Sequence, residues 1–147
     1  MEKAHITVLA AHVEEEQLDK AKRLIERVLR NQIVKAVPTE FDVELRGIDA
    51  FGDKIVYAEV DKGEDHLRLI NEKLLDAFEQ AGFSCDARFT PHVTLMKVSG
   101  GGDKCFRLVI LKLTTRIALG NFNLAWEVLP QMISSELFLV VQMKITN

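Results

Sequence analysis

Two segments 87 residues apart share one local design, Ala4-His5-Ile6-Thr7-Val8-Leu9 and Pro91-His92-Val93-Thr94-Leu95-Met96. Each sets His-x-Thr inside an apolar, partly β-branched run, and each lies next to a helix-forming segment of similar design. Such a repeat points to two like halves that meet face to face. Side chains alternate across a strand, so positions i and i+2 share a face and each motif offers an imidazole beside a hydroxyl. Four groups then converge on one cleft: His5, Thr7, His92 and Thr94.

The intervening periodicities supply the rest of each half. Ala4 to Ala11 has the composition of a buried strand. In EEEQLDKAKRLIERVLR, Leu18, Ala21, Leu24, Ile25, Val28 and Leu29 recur at three and four residues behind an acidic first turn, which predicts an amphipathic helix. After Pro38, FDVELRGI and IVYAEV alternate at period two on either side of the turn-prone Gly52-Asp53, so residues 41–60 are predicted to form a β-hairpin or neighbouring strands. EDHLRLINEKLLDAFEQAG is a second helix, with Leu67, Ile70, Leu74, Leu75 and Phe78 on one face and Gly82 at C′. HVTLMKV then forms a further strand. The order predicts an α+β fold with helices covering an antiparallel or mixed sheet. Ser99 to Gly102 is a flexible linker by composition, dividing a first unit over 1–99 from a C-terminal segment over 100–147. In that segment RLVILKLTTRIAL and ELFLVVQMKIT have strand composition, and an exposed edge there is an aggregation hazard.

A length of 147 residues holds one domain, or one domain built from two related halves. The 19 Lys+Arg against 22 Asp+Glu lack the basic excess of a duplex-DNA binder, while a small anionic ligand held by local donors is compatible with a net charge of −3. No apolar run is long enough for a membrane span. The N-terminus has no secretory pattern, so cytoplasm or nucleus is the expected setting. Cys85 and Cys105 form no CxxC pair and are expected to be plain thiols in a reducing compartment.

Paired imidazoles and hydroxyls suit phosphodiester chemistry without metal. A neutral histidine takes a proton from water or a ribose hydroxyl while a protonated one donates to the leaving oxygen, and an imidazole pKa near about 6.5 lets both forms coexist near neutrality. The threonines donate to the non-bridging oxygens as charge builds there. No metal is expected, because neither motif carries a carboxylate or thiolate at ligand spacing. A lone histidine on an apolar strand is more often a satisfied core residue; the matching surroundings of the two copies point to chemistry. Strict alternation puts His12 on the face opposite His5, in a strand-end role, and turns Lys97 away from His92. His66, in the first turn of the second helix, is expected to face solvent.

Together these residues resemble the 2H phosphoesterases, and more closely the central domain of A-kinase anchoring protein 7 and its relatives. The likeness runs through AHITVLA, LRGIDAFGDKIVYAEV, LINEKLLDAFEQAG and RFTPHVTLMKVS, and its specific part is the His-x-Thr pair combined with the GIxxFG segment. The resemblance implies a bilobal fold with two pseudo-symmetric halves around a central cleft. It also implies a cofactor-free phosphodiesterase acting on 2′,5′-linked oligoadenylate, cyclic nucleotide phosphodiesters or RNA ends. Carried over by position, His5 and His92 are the acid/base pair, and Thr7 and Thr94 are the phosphate-holding hydroxyls. Related domains also bind mononucleotides such as AMP. Phe51 and Phe89 fall in matching segments; core packing is the expected role for each, with base stacking as the alternative.

The implied ligand is a nucleotide or short RNA; a protein kinase A regulatory subunit is a partner at family level only, because no kinase-anchoring helix is recognisable. Two departures make the expected fold incomplete at both ends. Family members carry a strand upstream of the first motif, whereas Met1 stands four residues before His5, and residues 100–147 show no clear match to the family's closing helix and strand. The alternatives to an enzyme are therefore a nucleotide-binding or anchoring module without turnover, or a truncated fragment. Two readings of residues 100–147 stay open, a truncated or aberrantly spliced product and a diverged tail that substitutes one or two strands.

Overall fold

The computed structural model of the chain describes residues 5–38, 40–52, 54–97, 121–125, 128–133 and 136–142, with side chains over 6–38, 41–52 and 54–95. The linker at Ser99 to Gly102, the RLVILKLTTRIAL segment and Cys105 lie outside the described residues. β1 (His5–His12) leads through a 3₁₀ turn (Glu15–Gln17) into α1 (Leu18–Val28), a π turn (Leu29–Ile33) and a last helical turn, α2 (Val34–Ala36). The hairpin β2 (Glu40–Phe51) and β3 (Ile55–Lys62) follows, then α3 (Glu64–Gln80), the two-residue β4 (Ser84–Cys85) and β5 (His92–Lys97). Beyond residue 120 come β6 (Asn121–Ala125), β7 (Val128–Ile133) and β8 (Glu136–Gln142). The fold is α+β, as predicted.

Among the described residues two four-stranded antiparallel sheets result, in the orders β4-β1-β8-β7 and β5-β3-β2-β6. Each contains one His-x-Thr strand, and each is extended by strands from the C-terminal segment: β6 pairs with β2, and β8 pairs along the whole of β1. Among the described residues the tail supplies three strands, β6, β7 and β8, where the diverged-tail reading allowed for one or two. β7 carries Pro130, the kind of residue that argues against a strand in a sequence; among the described residues β7 is an edge strand, where a missing N–H is tolerated.

The first helix runs further than its 3.6-residue periodicity indicates. Val28 is buried, but the residue four positions on is Gln32. The π turn adds one residue to the ladder, and this brings the fully buried Ile33 under Val28 and then Val37 under Ile33. Helix α3 packs on β1 and on α1 through Leu67, Ile70, Leu74 and Phe78, all fully buried, each contributing about 1.5–3 kcal/mol of hydrophobic stabilisation. Its end is a Schellman motif. Gly82 at φ +90° donates its N–H to the Glu79 carbonyl, the Phe83 N–H reaches the Phe78 carbonyl, and the two phenylalanine rings meet at 5.1 Å. One core joins residues of β1, β2, β3, β5 and the helices.

Candidate active site

The strands carrying the two motifs are neighbours although they belong to different sheets. β1 and β5 run beside each other with Cα atoms within 8 Å. Among the described residues β5 is the edge of its sheet, and β4 pairs with β1 only at Ala11 and His12, away from the motif end. The His5 backbone lies in β1 opposite Gln142; its side chain, and with it the separation of the two imidazoles, lies outside the described residues.

Both motifs end in a β-bulge directly after the threonine. In β1, Thr7 pairs with Val140 and Leu9 with Leu139, leaving Val8 as the extra residue; in β5, Thr94 pairs with Tyr57 and Met96 with Val56, leaving Leu95 extra. A bulge resets the alternation of faces. Burial along β1 shows this, with Ile6 and Val8 covered and then Leu9, Ala11 and Val13. Two expectations built on strict alternation change accordingly. His12, opposite Glu136, falls in the same row as Thr7, opposite Val140. It is exposed, and its Nε2 lies 2.7 Å from the Glu14 carboxylate at the strand's end. Lys97 pairs with Ile55, in the row that continues through Tyr57 and Glu59, the partners of Thr94 and His92. The Lys97 side chain lies outside the described residues.

His92 is half-buried at the start of β5, directly after the buried Pro91. Its Nδ1 lies 2.7 Å from the Thr90 carbonyl. A carbonyl only accepts, so Nδ1 carries the hydrogen and donates it, which leaves Nε2 as the nitrogen that takes or gives a proton. The ring is also held by two aromatic neighbours, Phe51 and Tyr57, each with its centroid 5.1 Å away in an edge-on arrangement. Phe51 and Tyr57 stack on each other at 4.1 Å, with Tyr57 covered and Phe51 left 42% exposed at the hairpin tip. Burial, with the carboxylates of Asp49 and Glu59 nearby, pushes the Tyr57 phenol above its ordinary range. Tyr57 was not among the sequence candidates. Its signal was available only through register, since it is the residue opposite Thr94.

Phe89 sits differently from Phe51. It is half-buried against the core, its carbonyl accepts from Arg68, and the Arg68 guanidinium lies 5.8 Å over its ring. Core packing is its observed environment. His66 is not turned fully to solvent: it is half-buried with its ring 4.8 Å from that of Phe41, because the first turn of α3 lies close to β2. Cys85 is a free, half-buried thiol pushed up to about 11 by burial and then by the Glu79 charge, so it stays protonated at neutral pH. Among the described residues no three His, Cys, Asp or Glu side chains gather as a metal-binding group, and no helix is long and apolar enough to cross a membrane.

A family model described as the AKAP7 2′5′ RNA ligase-like domain matches residues 1–136. The match includes both His-x-Thr strands and runs past Ser99 through β7. No curated protein matches the chain.

Proposed function

The chain belongs to the family of AKAP7 2′5′ RNA ligase-like domains, and from that premise we propose that it is a metal-independent phosphodiesterase acting on nucleotide or RNA phosphodiesters, such as 2′,5′-oligoadenylate or cyclic phosphate ends. His5 and His92 form the acid/base pair, and Thr7 and Thr94 hold the non-bridging oxygens. The observation that carries this reading is the anchoring of His92, whose Nδ1–H is committed to the Thr90 carbonyl while its position opposite Glu59 keeps it in one row with Thr94. An imidazole fixed in one tautomer has a single nitrogen for chemistry.

In the proposed step the neutral imidazole removes a proton from the attacking water or ribose hydroxyl as its oxygen bonds to phosphorus. The bond to the leaving oxygen breaks, and the protonated imidazole supplies that oxygen's proton. The two histidines finish with exchanged protonation states and reset through solvent. Thr7 and Thr94 hydroxyls donate to the oxygens on which negative charge concentrates. The cytoplasm or nucleus is the proposed setting, and a nucleotide or short RNA the proposed ligand.

A second reading, a nucleotide-binding module without turnover, is favoured by one observation: the exposed face of Phe51 on a stacked aromatic pair can take a base whether or not a phosphate is cleaved. A panel of 2′,5′-diadenylate, 2′,3′-cyclic and 3′,5′-linked substrates in excess EDTA separates the two. The enzyme turns over at least one of them in chelator, with a bell-shaped pH–rate profile. His5→Ala and His92→Ala each lower kcat by about 10²- to 10⁴-fold, and the double variant loses far less than the product, because the groups act as a unit. AMP binding with no turnover that responds to these substitutions establishes the binding module instead.

A further inference from the structure

Among the described residues Asn71 is the single buried polar side chain, 8% exposed, on the face of α3 that otherwise presents Leu67, Ile70, Leu74 and Phe78 to the core. A leucine there suits the helix's apolar stripe better, yet the amide has a specific partner. Its Nδ2 donates to the Val8 carbonyl at 2.7 Å, across 63 positions of sequence. Val8 is the extra residue of the β1 bulge, with no partner in the β8 ladder. A buried bulge carbonyl left unpaired loses its hydrogen bond to water and gains nothing in exchange. The bulge in turn sets which face Thr7 occupies relative to Leu9 and beyond.

We propose that Asn71 is a positioning residue for the first His-x-Thr motif: from α3 it clamps the bulge at Val8 and so fixes where His5 and Thr7 stand beside β5. The role rests on the proposed phosphodiesterase reading for its catalytic consequence, but the clamp itself is independent of turnover.

The test is Asn71→Leu, close in shape but without the donor, assayed on 2′,5′-diadenylate alone and combined with Thr7→Ala or Thr94→Ala. The expected result is a loss in kcat of about 10-fold or more with KM within about 3-fold, in a protein that still unfolds cooperatively. In the Thr7→Ala background the further loss shrinks to under about 3-fold, whereas in the Thr94→Ala background it is kept in full. Equal losses in both backgrounds make Asn71 a general stability residue and overturn the proposal. Where Asn71→Leu does not fold, Asn71→Ser carries the same comparison. Amide hydrogen exchange over residues 5–10 gives a readout free of any enzymatic assumption: the variant exchanges faster there while residues 55–60 stay protected. Unchanged exchange in residues 5–10 overturns the clamp even in an active enzyme. A wild-type chain inert on every substrate overturns the phosphodiesterase while leaving the exchange result to decide the clamp.

Discussion

Three aromatic rings with alternating exposure define the residue scale of the proposed site: Phe51 on the outside, Tyr57 beneath it, and His92 edge-on to both. Stacking of a base on an aromatic ring contributes about 1–3 kcal/mol, so Phe51→Ala should weaken AMP binding in a titration by roughly 5- to 150-fold. Phe89→Ala should lower Tm instead and leave AMP affinity within about 3-fold, since that ring is packed under Arg68. Cys85 carries a pH signature. Its folded pKa of about 11 lies above the ordinary 9.0, so the folded state keeps a proton that the unfolded state releases. The associated stability is present below pH 9 and is lost as pH rises toward 11. In a Cys105→Ser variant, iodoacetamide should therefore label Cys85 slowly at pH 8 when native and at an ordinary thiol rate when denatured. His5, Thr7, His92 and Thr94 stood out as candidates in the sequence through the His-x-Thr spacing together with the matching apolar strand surroundings of its two copies. Tyr57 did not, because its relation to His92 is a cross-strand one that depends on which residues the bulge sets opposite each other.

At the scale of elements, two glycines with similar backbone angles should respond differently to alanine. Gly82 ends α3 at φ +90° with nothing within 4 Å of where a Cβ would stand, so Gly82→Ala costs about 1 kcal/mol of backbone strain. Gly63 opens the same helix at φ +89°, and there a Cβ would lie 2.5 Å from the Asp42 carbonyl oxygen and 3.1 Å from Val43. Gly63→Ala must move β2 as well as strain the turn, and thermal unfolding should show a clearly larger drop in Tm than for Gly82→Ala. Gly82 as a helix stop was readable from sequence, since the apolar face ends just before it. The π turn after α1 was not. The face of α1 runs out at Leu29, and only the need to bring Ile33, rather than Gln32, under Val28 accounts for the added residue.

For the whole molecule, the strands beyond residue 120 stabilise both halves at once, because β8 covers one edge of β1 and β6 covers one edge of β2. A chain ended at Ser99 exposes the hydrogen-bonding edges of two strands, and its expected fate on expression is aggregation, checked by solubility and gel filtration against the full chain. Local periodicity determined the α+β class, both amphipathic helices, the β2–β3 hairpin and the two motif strands, since each of these depends on side chains within a few positions of one another. The pairing of β6, β7 and β8 across two sheets, the bulges after Thr7 and Thr94, and the joining of Asn71 to Val8 were decided only by tertiary structure. Each is a contact between distant segments, and a bulge in particular changes the face of every later residue in its strand without leaving a mark on the local pattern.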